Sequence, residues 1–269
     1  MKTLLALTLL AAACGGSPKP APTTGGDGAM TNAPPTTGGG GAMKNDPPTG
    51  NDAPPTPIPT DAASRKHAFV RTADTLPWMN NTARLATDLR LQRVAQGNSF
   101  DITDGPVVVV AGKVTNAQNQ ELAYWNKKPH RIQCAKGADC ILLVHANTAA
   151  AAPGELLVQD LKWTPLDPSR PDPLVVPLWG DGTKEPNGFL MKMKAGGGPF
   201  WHIHRQDYSG VVLAGNVVSY ESGHEAEEMP PGSYWWQPNG NKHTTDCKGP
   251  TDCVIYLDFT GAFDVKAVP

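Results

Sequence analysis

Charge of one sign is the first thing this sequence lacks. Its 23 Lys and Arg stand against 25 Asp and Glu, a net charge of −2, and no basic cluster breaks the balance. Without a positive face the chain has no electrostatic means of holding nucleic acid, and that partner class is excluded. Long apolar runs are missing too. The N-terminal run from Leu4 to Ala13 is too short to cross a bilayer as a helix. Sustained helical spacing is almost absent: only Asn81 to Gln96, with Leu85, Leu89 and Val94, predicts a short helix.

Proline and glycine are plentiful instead, 27 and 28 residues, and much of the excess lies before residue 60. Lys2 followed by Leu4–Ala13 reads as a signal peptide over residues 1–14, and Leu10-Ala-Ala-Ala-Cys14-Gly15 resembles a bacterial lipoprotein processing site. On that reading Cys14 carries lipid and the protein is exported, anchored on the periplasmic or cell-surface side of a membrane; ordinary secretion is the alternative. Residues 15–60 form a linker in which a thirteen-residue unit recurs, Thr23-Thr-Gly-Gly-Asp-Gly-Ala-Met30 and Thr36-Thr-Gly-Gly-Gly-Gly-Ala-Met43. With almost nothing large and apolar, such a segment cannot offset its ordering entropy, so the linker is expected to be disordered.

Beyond it, short apolar runs are bounded by Gly, Pro, Asn and Asp: Val107-Val-Val-Val110, Ile141-Leu-Leu-Val144, Val211-Val-Leu213 and Val254-Ile-Tyr-Leu257. That spacing predicts an all-β sandwich or barrel. A faint internal repeat divides it. Val108-Val-Val-Ala-Gly112 parallels Val211-Val-Leu-Ala-Gly215, and Tyr124-Trp125 with His130 and Cys134 parallels Tyr234-Trp235 with His243 and Cys247. The expected modules are residues 61–155 and 156–269.

Of the 5 cysteines, Cys14 is assigned to lipid. The other four fall in two Cys-x5-Cys units, and an even set in an exported protein predicts disulfides, Cys134–Cys140 and Cys247–Cys253, each across a Lys-Gly turn. The competing assignment makes Cys247 a metal ligand.

The stretch from Gly196 to His243 carries the chemistry. In a strand, side chains alternate, so His202 and His204 point the same way, about 7 Å apart. His243, from a second hairpin, completes a set of imidazoles suited to zinc, iron, nickel or copper. Gly196, His202, His204 and Gly215 match the first motif of the cupin superfamily, and Gly232, Pro238, Gly240 and His243 match every fixed position of the second. The Asp207-Tyr208 pair and Pro231-Gly-Ser-Tyr-Trp resemble the ChrR-like cupins of unassigned function.

The resemblance implies a double-stranded β-helix jelly roll, here a degenerate bicupin with one intact C-terminal module. It implies one divalent transition metal, zinc before iron or nickel. It departs from the family at the motif glutamate, where Tyr208 stands beside Asp207. Tyr208 is expected to be a hydrogen-bonding neighbour or an occasional ligand, while Asp207 needs a bulge to reach in. Trp201, Tyr234 and Trp236 are expected to line a pocket for an unidentified small ligand. Two function classes follow: a binding or sensing module, since the group takes its name from an anti-sigma factor with a zinc-binding cupin domain, and a metal-dependent enzyme such as a three-histidine oxygenase. Cupins often dimerise through sheet edges, so a homodimer is an expectation.

Overall fold

The computed structural model describes residues 69–71, 76, 78–85, 89–102, 105–126, 130–145 and 154–269. The expected signal peptide, the lipidation site Cys14 and the linker lie outside the described residues. All the described residues fall within one compact unit, Pro55–Pro269.

They are organised as β-sheet, as the apolar runs predict, with one short 3-10 turn at Val158–Asp160. A large C-terminal sheet runs, in spatial order, Phe69–Arg71, Tyr234–Gln237, Tyr208–Ala214, Cys253–Phe259, Asn187–Met193, Leu174–Trp179 and Thr164–Pro165. A smaller sheet covers it, in the order Glu227–Met229, Asn216–Glu221, His243–Lys248, His202–Ile203 and Lys266–Ala267. Residues 78–157 build a second pair: a seven-stranded sheet centred on Val107–Ala111, Cys140–His145 and Leu89–Val94, and a three-stranded sheet of Ser99–Ile102, His130–Cys134 and Val114–Thr115.

Each pair encloses its own core. Phe189, Met191, Val212, Val217, Ile255 and Leu257 fill the C-terminal one, and Val94, Val107, Val114, Ile132, Leu142 and Val144 the N-terminal one. A third cluster lies between the two large sheets, where Leu91, Val108, Val110 and Leu143 meet Leu190, Val211, Tyr234 and Tyr256. Both large sheets are therefore buried on both faces. This explains why residues 107–110, 141–144 and 211–213 read as unbroken apolar runs: Val211 packs between the sheets while Val212, turned the other way, packs inside the C-terminal sandwich.

The helix expected over Asn81 to Gln96 is not formed. Thr82–Arg84 and Leu89–Val94 are adjacent antiparallel strands there. Leu89 and Leu91 are both buried with Arg90 only partly so, a period of two that outweighs the helical spacing of Leu85 and Leu89.

Both expected disulfides are present, Cys134–Cys140 and Cys247–Cys253, and Cys247 is thereby withdrawn from the metal ligands. The bridges occupy matching corners. Gly112 at φ 77° and Gly215 at φ 79° each turn the chain beside one. A Cβ at Gly112 would stand 2.9 Å from Cys140 Sγ, and one at Gly215 would stand 2.6 Å from Cys253 Sγ. Only glycine serves at both places, because both the positive φ and the sulfur exclude a side chain. Cys134 N–H donates to the carbonyl of Asn98 at 2.9 Å, as Cys247 N–H does to that of Gly197 at 2.8 Å.

Candidate metal centre

Two short segments converge at one end of the C-terminal sandwich. His202 opens the His202–Ile203 strand and is the register partner of His243, which opens His243–Lys248. His204 follows just beyond the strand, and Gly240 N–H donates to its carbonyl at 2.8 Å, fastening the Pro238-Asn239-Gly240 turn to the first hairpin. Ring centroids lie 4.4 Å apart for His202 and His243, 4.8 Å for His202 and His204, and 5.3 Å for His204 and His243. One nitrogen from each ring lies within 4.8 Å of the others, and all three residues are buried.

Backbone carbonyls orient every ring. His202 Nδ1 lies 2.7 Å from the carbonyl oxygen of Phe200, and His243 Nδ1 lies 2.8 Å from that of Asn241. His204 Nδ1 meets the carbonyl of Asp264. A carbonyl only accepts, so Nδ1 carries the proton in each ring, and the Nε2 lone pairs are left for a ligand. At His202 and His243 the same local device operates, a ring folded back on the carbonyl two residues before it. Asp264 is itself held by Arg205, whose N–H and Nε–H donate to its carboxylate at 3.0 and 2.8 Å.

Burial and the neighbouring rings oppose any charge here. His204 is pushed down to about 4, first by burial and then by His202, and His243 down to about 3 for the same two reasons. Burial lowers His202 as well. All three are neutral near pH 7, the form that binds a metal ion. Tied donors, converging lone pairs and suppressed protonation fit a transition metal, and the donor set is soft enough for zinc, iron or nickel.

Tyr208 touches this group without joining it. Its hydroxyl lies 2.9 Å from His243 Nε2, and since that nitrogen carries no proton the phenol donates. Burial lifts the Tyr208 phenol well above its ordinary range, so it remains a phenol rather than an anionic ligand. Asp207 turns away, as strand alternation requires. Its carboxylate accepts from Asn239 N–H at 2.9 Å and Asn239 Nδ2 at 2.8 Å, bracing the second turn from outside. It is not a ligand as placed.

The expected pocket residues are placed differently from the sequence reading. Tyr234 is fully buried between the two large sheets, bonded to Ser209 at 3.1 Å, and Trp236 packs against that same cluster. Trp235, the residue between them, faces the C-terminal core and presents its ring to Tyr208 at 6.4 Å. Trp201 is exposed, with Lys242 Nζ 5.6 Å from its ring. The aromatic wall of the site comes from elsewhere. Phe259 and Phe263 lie 5.1 and 5.8 Å from His204, Phe259 stacks on Tyr208 at 4.8 Å, and Phe200 meets His202 at 6.0 Å. Phe259, Phe263 and Asp264 are not marked by any motif: the first ends the last long strand and the other two lie in the segment just after it.

Residues 155–268 match a family model described as a domain of unknown function, DUF4437. Among curated protein sequences none matches. A putative glyoxylate-induced protein from Pseudomonas aeruginosa is similar in structure, with a TM-score of 0.51 and 14% identity over 72% of this chain and 88% of that one. That likeness shows the fold alone. The DMSP lyase DddQ from Ruegeria pomeroyi is similar at a TM-score of 0.35 and 15% identity over 40% of this chain, which spans 61% of the lyase. An oxalate decarboxylase from Lactobacillus farciminis, in a formate complex, is similar at a TM-score of 0.44 and 10% identity, over 80% and 91% of the two chains.

Proposed function

We propose that this chain, whose fold is the all-β jelly roll of the cupins, holds one divalent transition metal on His202, His204 and His243 and uses that centre to bind a small ligand. The observation that carries this is the set of three Nδ1–H groups tied to backbone carbonyls, which leaves each Nε2 unprotonated in a group where one nitrogen from each ring lies within 4.8 Å of the others. When bound, such a metal supplies Lewis acidity. The chain's own residues do the rest. The carbonyls of Phe200, Asn241 and Asp264 orient the rings, Phe259 and Phe263 exclude water from one side, and Tyr208 offers a hydroxyl beside His243.

A binding or sensing module of ChrR-like type, exported and anchored through Cys14, is the reading we favour. Its export is supported by the pair of disulfides, which belong to an oxidising compartment; no helix among the described residues is long and apolar enough to cross a membrane. Zinc is the metal we expect, since ferrous iron is harder to keep reduced outside the cytoplasm. Matching disulfide corners and strand pairings support a degenerate bicupin whose first module has an apolar core around Phe100, Ile132 and Val114. A metal-dependent enzyme is the second reading. It is favoured by the number of ligands, since catalytic sites use three protein ligands and keep a position for water or substrate, and by the protonated Tyr208 beside them.

Elemental analysis of the purified full-length chain tests the centre. One equivalent of zinc, iron or nickel in the wild type, lost in His202→Ala and in His243→Ala, is the expected result; unchanged metal in those variants removes the assignment.

A further inference from the structure

A buried acid near the centre takes no part in the proposed function. Glu221 ends the Asn216–Glu221 strand directly opposite His243. Register partners on antiparallel strands share a face, so its side chain stands on the same side of the sheet as the imidazole. Only 9% of Glu221 is exposed, an uncommon situation for a carboxylate. No cupin motif calls for an acid here, and Glu221 is outside the three-histidine group.

Its contacts lead to the centre indirectly. Asn241 Nδ2 donates to Glu221 Oε1. The carbonyl of the same Asn241 accepts from His243 Nδ1–H at 2.8 Å, and His243 Nε2 accepts from the Tyr208 hydroxyl at 2.9 Å. Glu221, Asn241, His243 and Tyr208 thus form one hydrogen-bonded line. Asn241 lies in the loop between Gly240 and the His243 strand, where nothing in the sheet ladder fixes its peptide plane. Anchoring its amide to a buried carboxylate fixes that plane, and Ser222 N–H donating to the Lys242 carbonyl at 3.0 Å ties the same two segments again. His224 Nε2, 4.0 Å from Glu221 Oε1, is too distant to displace Asn241.

We infer that Glu221 is a positioning residue for His243: through Asn241 it holds the ring with its proton on Nδ1 and leaves Nε2 unprotonated, the atom that the Tyr208 hydroxyl meets beside His202 and His204. The consequence for metal affinity rests on the metal reading above; the orientation of the ring does not. Outer hydrogen-bond partners of this kind change metal affinity by about 10- to 100-fold when removed.

Two measurements on the full-length chain separate these points. Long-range nitrogen–proton NMR of the metal-free protein should find His243 protonated on Nδ1 in the wild type. In Glu221→Ala a mixture of the two tautomers is expected, and Glu221→Gln, which keeps an oxygen that accepts from Asn241, should restore the single form. Zinc competition against a chromophoric chelator should then show about 10- to 100-fold weaker binding in Glu221→Ala and recovery in Glu221→Gln. Asn241→Ala, which keeps the carbonyl but loses the anchoring amide, should behave as Glu221→Ala does and serves if that variant folds poorly. An unchanged His243 tautomer in both alanine variants overturns the inference, whatever happens to zinc. A shifted tautomer with no zinc bound even to the wild type upholds the positioning role and removes the metal reading alone.

Discussion

His145 and Asp258 join the two large sheets through a buried contact, with His145 Nε2 2.8 Å from Asp258 Oδ2 and the two side chains 10% and 9% exposed. The histidine ends the Cys140–His145 strand and also lies against Trp179, at 5.5 Å. Removing one member of a buried pair leaves the other desolvated and uncompensated, which costs more than the pair itself contributes. His145→Ala and Asp258→Asn should each lower stability by about 3 kcal/mol. Urea unfolding of the metal-free chain measures this, and an unmoved midpoint for both variants would exclude a stabilising role for the contact.

Acid should weaken the metal-free protein well above the usual carboxylate range. In the unfolded chain a histidine binds its proton near pH 6.5, whereas the folded state holds His204 to about 4 and His243 to about 3. Between those limits the unfolded state carries more protons, so stability rises with pH from about 3 to about 6.5 and levels off above. For His204 alone the loss is on the order of 3 kcal/mol across the window. Calorimetric melting temperatures from pH 7.5 downward should fall across this range, and His204→Gln should flatten the slope.

Tyr208 competes with a metal rather than assisting it in the metal-free protein, because its hydroxyl occupies the lone pair of His243 Nε2. One neutral hydrogen bond is worth about 0.5–1.5 kcal/mol. Tyr208→Phe should therefore keep the full metal content and bind zinc as tightly as the wild type or up to about tenfold more tightly. Loss of metal from this variant would make the phenol a ligand instead.

The two disulfide corners should respond alike to a single methyl group. At Gly215 and Gly112 an alanine meets both a positive φ and a sulfur, 2.6 and 2.9 Å away respectively. Left-handed backbone costs a non-glycine residue about 1–2 kcal/mol, and overpacking adds about 1–3. Each Gly→Ala variant should lose at least about 2 kcal/mol in denaturant unfolding. Thiol titration under denaturing conditions shows whether the neighbouring bridge still forms, and wild-type stability at both corners would contradict the packing described.

The site was legible where its chemistry follows a strict period. His202 and His204 declare a shared face by alternation, and the glycines and proline around His243 mark the turn that returns it to them. The cysteine pairs were equally readable, because each brackets its own hairpin. Alternation also separates Trp235 from Tyr234 and Trp236, but it does not say which side is the site; that depends on a second sandwich packed behind the sheet. Phe259, Phe263 and Asp264 reach the rings only through tertiary placement, and nothing in their local sequence announces it. Leu85, Leu89 and Val94 misled for a related reason: Leu85 lies between two strands, while Leu89 and Val94 belong to one strand and pack into different cores on its two faces.

One short strand has a practical bearing. Phe69–Arg71 precedes everything in the N-terminal pair of sheets, yet it is hydrogen-bonded along Tyr234–Gln237 at the margin of the C-terminal one. The second half of the molecule therefore borrows its outermost ribbon from the beginning of the first. A fragment starting near residue 156 would uncover the backbone amides and carbonyls of Trp235 and its neighbours, an invitation to pair with a second fragment. Excision of the histidine-bearing half should thus yield self-associating material unless residues 69–71 travel with it.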